Sequence, residues 1–304
     1  MTNNFLPIAF LQNTFIPFDQ ANISIATHAL HYGTAAFGGL RGKIDPQNSS
    51  QALLFRLDKH AERLSQSGMF LGYDVSASFI QQTIIDFVER NKPVDDFYIR
   101  PLVYTSDLGI TPRLHDVEKD FLIYGLYFGS YFADKGLRVC FSSWQRQSDS
   151  SMPLRGKVSG AYITSALAKT EAYARGYDEA IFLNASGKVS EASAMNLFIV
   201  KNGVLITPDA NQDILEGITR RSIIEIADNL GIKVVQRVVD KTELITADEF
   251  FLCGTGAKLV KVSAVEQYKL SDTTPIFEKL VDEINSITNG QRSDYADWIT
   301  HVPI

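Results

Sequence analysis

Apolar residues recur along this chain with two spacings, and the change from one to the other lays out the expected elements. Over residues 5–26, short apolar runs separated by turn residues predict a strand pair leading to Ala21–Ile25. Leu53, Leu54 and Phe55 predict a strand running through Arg56 into a helix that carries His60, Arg63 and Leu64. Phe79–Asn91 has helical spacing, with Ile80, Ile84, Phe87 and Val88 on one face. Phe97–Tyr104 alternates as a strand does, so Tyr98 and Arg100 point the same way. Further strands are expected at Phe121–Tyr127, Val139–Ser142, Ala180–Leu183, Ile232–Val239 and Phe250–Cys253. The alanine-rich run Thr164–Arg175, closed by Gly176, and the amphipathic Pro275–Ile287 predict helices.

Val189–Arg221 is the stretch around which the rest is organised. Asn196–Val200 and Val204–Ile206 are β-prone and flank Lys201, Asn202 and Gly203, whose Asn-Gly pair suits a tight hairpin turn. A polar loop follows. Gly217, Ile218 and Thr219 then open a helix with Ile223, Ile226, Ala227 and Leu230 on one face, ended by Gly231. Glu191 stands just before a strand with apolar neighbours, so a carboxylate packed there needs a cationic partner. A solvated turn residue is the plainer alternative. The helix start at Gly217 offers free N–H groups to an anion such as phosphate, although most helix starts bind only water.

Composition narrows the class. The chain has 304 residues, enough for about two domains, with 45% hydrophobic and 21% charged residues. Ser130–Leu137 reads as a linker, with turn residues at Asp134, Lys135 and Gly136. The expected division is a small domain over 1–129, a linker over 130–137 and a larger domain over 138–304. A net charge of −6 with no basic block argues against nucleic-acid binding. No apolar run approaches membrane-spanning length, and the N-terminus reads without a signal peptide. The two cysteines, Cys140 and Cys253, have no paired spacing, so neither a disulfide framework nor a thiolate metal site is expected and a cytoplasmic location fits. Asn22, Asn48 and Asn184 begin glycosylation sequons by chance.

Other candidate chemistry is mostly weak. His28 and His31 are three apart, but no carboxylate or cysteine has matching ligand spacing, so no metal site is expected. Gly38–Lys43 lacks the spacing of a phosphate loop. Arg56 follows three apolar residues and so needs an anion or a structural ion pair. Lys157 is flanked by small residues that leave room for a bulky adduct. Desolvation there favours the nucleophilic free amine, although most lysines are solvated surface groups. Asp178 and Glu179 stand where the strand Ala180–Leu183 begins, where solvation is expected, and rank below Glu191. The glycine-rich Cys253–Ala257 lets backbone N–H groups approach an anion.

One pattern is far more specific. Glu191, Ser193, Asn196, Leu197 and Phe198, then Leu205 and Thr207, then Leu215, Gly217, Ile218 and Arg220 fill the defined positions of a long signature. It resembles that of the class IV, fold-type-IV aminotransferases, which use pyridoxal 5′-phosphate. Two further segments, Thr27–Gly42 and Tyr98–Pro101, resemble branched-chain amino-acid aminotransferases. One departure is Gly38, where those enzymes often carry glutamate.

The resemblance implies an α+β fold of two domains, a small α/β N-terminal domain and a larger C-terminal pseudo-barrel, with the site at the domain and subunit interface. It implies Lys157 as the lysine that carries the cofactor, Glu191 as the partner of the pyridine nitrogen and Tyr162 as the partner of the phenolic oxygen. Arg56, Gly217, Ile218, Thr219 and Thr255 would hold the phosphate, and Leu215 would pack on the ring. Tyr32, Phe37, Ile110, Phe128 and Tyr131 would line the substrate pocket, Tyr32 from a neighbouring subunit. Tyr98 and the amides of Thr255 and Gly256 would meet the substrate carboxylate, and Arg100 the distal carboxylate of glutamate. The implied reaction moves the amino group of leucine, isoleucine or valine to 2-oxoglutarate in a homodimer or dimer-based assembly, with amino acids and 2-oxo acids as the partners. A D-amino-acid aminotransferase, an aminodeoxychorismate lyase and a binding protein without catalysis are the alternatives. The tail through Trp298 and Ile304 carries no identifiable chemistry.

Overall fold

The computed structural model describes residues 4–129 and 135–304 and divides into two compact units. Ser130–Asp134, including Tyr131, fall outside the described residues.

The first unit takes the chain up to Gly129 together with Gly156–Gly160 and Ser286–Ile304. Its elements are β1 (Ile8–Leu11), β2 (Thr14–Pro17), α1 (His28–Tyr32), β3 (Ala35–Phe37), β4 (Leu40–Asp45) and β5 (Asn48–Phe55). Then come α2 (Leu57–Met69), α3 (Ala77–Asn91), β6 (Phe97–Thr105) and β7 (Lys119–Tyr127). The strands form one antiparallel sheet in which the C-terminal strand Ile299–Pro303 lies outside β5, followed by β4, β6, β7, β1 and β2, while β3 also pairs with β6. The expected strand does not extend to Ala21–Ile25, because β2 ends at Pro17 and a short 3-10 turn, Phe18–Gln20, follows. The helices turn Ala61, Leu64, Ile80, Ile84, Phe87 and Val88 inward, all nearly fully buried.

Two later segments belong to this unit, although the expected 138–304 domain places them elsewhere. Ser286–Ile304 joins it because the C-terminal strand pairs with β5, from Ile299 opposite Phe55 to Pro303 opposite Gln51. Gly156–Gly160 joins it because Val158 bridges Ala36 on β3.

The second unit holds, among the described residues, 135–155 and Ala161–Asn285. Its elements are β8 (Leu137–Phe141), α4 (Tyr162–Ala174), β9 (Glu179–Leu183), β10 (Val189–Ala192), β11 (Asn196–Lys201), β12 (Val204–Thr207) and α5 (Ile218–Asn229). They continue with β13 (Val234–Gln236), α6 (Lys241–Ile245), β14 (Glu249–Gly254), β15 (Lys258–Val265), β16 (Tyr268–Lys269) and α7, which starts at Pro275. The sheet order is β10, β9, β8, β15, β14, β11, β12, β13, with β16 on β15. The pairs β8–β9 and β12–β13 are parallel, and each is joined by a crossover helix, α4 or α5, as parallel pairing requires. The expected hairpin forms between β11 and β12, with Asn202 and Gly203 both at positive φ, 49° and 74°. The expected strand at Ile232–Val239 shortens to β13. No helix among the described residues is long and apolar enough to cross a membrane.

One buried acid in this unit acts at a distance. Glu249, 4% exposed on β14, accepts from Ile276 N at 3.0 Å and Phe277 N at 2.8 Å, and so caps the start of α7. Glu249→Ala is expected to lower unfolding free energy by about 1–2 kcal/mol. A urea midpoint unmoved by the change would remove this capping role.

Candidate active site

In the first unit β6 buries alternate residues, so Phe97, Ile99 and Pro101 enter the core while Tyr98 and Arg100 stand half-buried on the opposite face. Gly39 makes room there: a Cβ at that position would lie 1.9 Å from the Tyr98 hydroxyl oxygen. Arg100 Nη2 donates to this hydroxyl at 3.1 Å. The Arg100 guanidinium carbon lies 4.6 Å from the centre of the Phe37 ring, and the Lys157 Nζ lies 4.9 Å from the same centre. Phe128 packs on Tyr98 with centroids 5.5 Å apart, and Arg41 covers Phe128 while donating to the carbonyls of Phe128 and Gly129. Burial lowers the Arg41 pKa from its ordinary value, with nearby Asp96 and Tyr98 opposing the shift. The unit thus gathers Phe37, Tyr98, Arg100, Phe128 and Lys157, five of the expected residues.

Tyr32 and Ile110 form a separate pair, the Tyr32 hydroxyl donating to the Ile110 carbonyl. Their surroundings are exposed: Ile110 is 87% and Tyr32 39% accessible. Both nitrogens of the buried His28 ring are engaged, with Thr34 Oγ1 at 2.8 Å and Thr111 O at 3.0 Å, and His31 Nε2 bonds Ile25 O. A Cβ at Gly38 would stand 2.8 Å from the Pro101 ring, so a side chain there would require that ring to shift.

Arg56 turns the chain from β5 into α2 at φ 53°, a left-handed conformation uncommon outside glycine. Its N–H donates to Trp298 O at 2.7 Å, and its guanidinium carbon sits 4.2 Å from the Trp298 ring centre. The tail therefore supports a candidate site residue, a role for Trp298 that the sequence alone does not suggest. One turn along α2, His60 is 4% exposed, and its pKa is pushed well below the usual histidine range, first by burial and then by Arg63, Lys157 and Arg56.

In the second unit Glu191 is 6% exposed at β10, and Arg146 supplies its cation, Nη2 to Oε1, at 2.8 Å. Such a partner is expected from the sequence, but its identity is not. Arg146 lies 45 positions away by residue number, in a polar loop whose pattern carries no structural signal. Its own Nε donates to Asp213 O at 3.1 Å. The second Glu191 oxygen accepts from Asn196 Nδ2 at 2.8 Å and Leu215 N at 3.2 Å. Asn196 also donates to Leu215 O and accepts from Gly217 N at 3.2 Å. A Cβ at Gly217 would stand 2.1 Å from Asn196 Oδ1, so glycine is required for this contact. Asn196, Leu215 and Gly217 of the signature thus form one hydrogen-bonded cluster around the Glu191 carboxylate.

Gly217 is the N-cap of the twelve-residue α5 and places no side-chain cap over its first turn, where Ile218 and Thr219 are buried. Arg220 anchors that turn. It is 2% exposed and donates to Thr207 Oγ1, Pro208 O and Gln236 Oε1, while burial lowers its pKa from the ordinary value. Tyr162 opens α4, and Thr255 and Gly256 follow β14; all three are half-buried. Burial pushes the Cys253 thiol up to about 12, which leaves it inert as a nucleophile. No group of three or more histidine, cysteine or carboxylate side chains able to hold a metal occurs among the described residues.

The sequence matches the family described as amino-transferase class IV over residues 46–265. It is 56% identical over 302 residues, 99% of both chains, to a probable branched-chain-amino-acid aminotransferase of Synechocystis. Among solved structures it is similar to the branched-chain amino acid aminotransferase from Thermobaculum terrenum in PLP-form. There the TM-score is 0.94 at 34% identity, covering 99% of this chain and 100% of that one. It is also similar to the branched-chain aminotransferase from the thermophilic archaeon Thermoproteus uzoniensis with norvaline. That TM-score is 0.93 at 35% identity, covering 97% of this chain and 98% of that one.

Proposed function

The chain belongs to the class IV aminotransferases, and we propose that it is a pyridoxal-phosphate-dependent branched-chain amino-acid aminotransferase. It moves the amino group of L-leucine, L-isoleucine or L-valine to 2-oxoglutarate, giving the branched-chain 2-oxo acid and L-glutamate. The observation that carries this reading is likeness along the whole chain to proteins of that name.

The donor set fits the cofactor. Glu191, a buried carboxylate held by Arg146, suits a ring N–H. The α5 start, without a side-chain cap, suits phosphate. The Lys157 amine suits an aldehyde. When bound, pyridoxal phosphate supplies that aldehyde carbon and a protonated ring that draws negative charge away from the donor Cα.

The protein's own groups then have distinct tasks. Lys157 holds the cofactor between turnovers and moves the proton at the donor Cα as base and then acid. Glu191 keeps a hydrogen on the ring nitrogen. Asn196 and Arg146 hold its carboxylate in place. Arg56, the first-turn N–H groups of Ile218 and Thr219, and Thr255 take the phosphate charge. Tyr162 donates to the phenolic oxygen, and Leu215 packs on the ring. Tyr98 and the amides of Thr255 and Gly256 hold the substrate carboxylate.

Dual specificity requires one pocket for an apolar side chain and for a carboxylate. Phe37, with Phe128 and Tyr131, offers the apolar part; Arg100 over the Phe37 ring offers the cation. Arg100→Leu is expected to raise the KM for glutamate about a hundredfold and that for leucine less than threefold, by the loss of one charge-assisted bond. Equal losses for the two donors would reject this role.

The working form is a homodimer in the cytoplasm, with Tyr32 and Ile110 completing the partner's pocket. The exposed Ile25, Leu30, Tyr32, Leu108 and Ile110 support that assembly, as do bonds linking Ile25 to His31 and Ile110 to Tyr32. Buried free cysteines accord with a reducing compartment. The experiment is a donor panel with purified protein and 2-oxoglutarate: turnover with L-leucine and none with D-leucine is expected. The reverse preference would overturn the assignment.

A further inference from the structure

The main chain of Lys157 is held from two sides. On one side the segment Gly156–Gly160 runs beside β3: Phe37 N donates to Lys157 O at 3.0 Å, Val158 bridges Ala36, and Gly160 N donates to Gly33 O at 3.1 Å. On the other, the Lys157 N–H donates to Ser67 Oγ at 3.0 Å, across 90 positions of sequence. Ser67 is fully buried in the last turn of α2. Its hydroxyl hydrogen is already committed to Arg63 O at 2.7 Å, so its oxygen faces Lys157 as an acceptor only. A serine bonding back to the carbonyl four residues earlier is common in helices and implies nothing alone. Here the second contact, to a distant strand-like segment, gives that orientation a use.

The helix face matters as much as the bond. His60, Arg63 and Ser67 are spaced by three and four residues, so they share one side of α2, and Arg56 stands at its N-cap. A rigid helix thus carries the candidate phosphate grip at its first end and the tether of the lysine main chain at its last.

We propose that Ser67 is a positioning residue for Lys157, fixing where the lysine amine stands relative to the Cα hydrogen that it removes. This rests on the reading of Lys157 as the cofactor-bearing amine. Ser67 acts through the backbone of Lys157. Loss of the acceptor removes the 3.0 Å bond that ties the lysine main chain to α2 and lets the segment shift. Proton transfer is steeply sensitive to such misplacement.

The test uses the holoenzyme with Ser67→Ala and the closely isosteric Ser67→Cys, whose sulfur is a weak acceptor. Three readouts are taken: borohydride fixation of the cofactor located by peptide mass, the rate of the leucine half-reaction, and its isotope effect with leucine deuterated at Cα. The expected result in both variants is a label still on Lys157, a half-reaction slowed about tenfold, a larger isotope effect and a leucine KM within about twofold. A merely structural role would not raise the isotope effect. Unchanged rate and isotope effect in the labelled variants would overturn the proposal while leaving Lys157 in its role. Failure of the unsubstituted enzyme to label at Lys157 would instead overturn the assignment of the amine, and this proposal with it.

Discussion

Lys157→Ala is expected to reduce turnover with leucine and 2-oxoglutarate about ten-thousandfold, the upper range for removing a positioned acid–base group. The lysine is asked to do two things, to hold the cofactor and to move the Cα proton, and alanine does neither. Its main-chain bonds, N–H to Ser67 and O to Phe37 N, do not need the side chain, so the substituted chain keeps its fold. The thermal midpoint is therefore expected to stay within about 2 °C of the parent, while borohydride no longer fixes cofactor to the chain. Adding a small primary amine to the variant should restore part of the rate, because the missing group is chemically simple. A loss of only tenfold, with the fold intact, would mean that another group moves the proton.

Arg146→Gln should be the most damaging change to stability, costing about 3–5 kcal/mol in urea unfolding, because it strands a carboxylate that is nearly inaccessible to water. The two side chains are 7% and 8% exposed, so solvent cannot replace the lost partner. Asn196 Nδ2 and Leu215 N still donate to the other Glu191 oxygen, which places the expected cost at the low end of the range. The double substitution Arg146→Gln with Glu191→Gln removes both charges and should recover part of the loss, a coupling that a double-mutant cycle reads directly. It should not recover activity, since a neutral amide holds the ring hydrogen poorly. Additive losses in the cycle would show that Arg146 and Glu191 stabilise the unit independently.

These two residues also mark how far the chain could be read without its fold. Lys157 is marked by the family resemblance, and Glu191 by its place in the signature; Arg146 has no such mark. Its loop has neither helical nor strand periodicity, and a cation is assigned to a carboxylate only when the chain brings the two together. Trp298 is similar: a tail tryptophan gives no hint that it will lie under Arg56. The strand Lys258–Val265 is not among the elements expected from the sequence, although it alternates buried residues. It proves central, pairing with β8, β14 and β16. Nothing in its own pattern says which strands flank it.

The sequence by itself determined most of the local elements, because side-chain periodicity, turn residues such as Asn202 and Gly203, and caps act over a few positions. It also determined the residue types of the signature. The tertiary structure alone decided the partners: Arg146 for Glu191, Ser67 for the lysine backbone, Trp298 for Arg56, and Glu249 for the start of α7. The physical reason is that hydrogen bonds and ion pairs act over a few ångströms in space, whatever the separation along the chain.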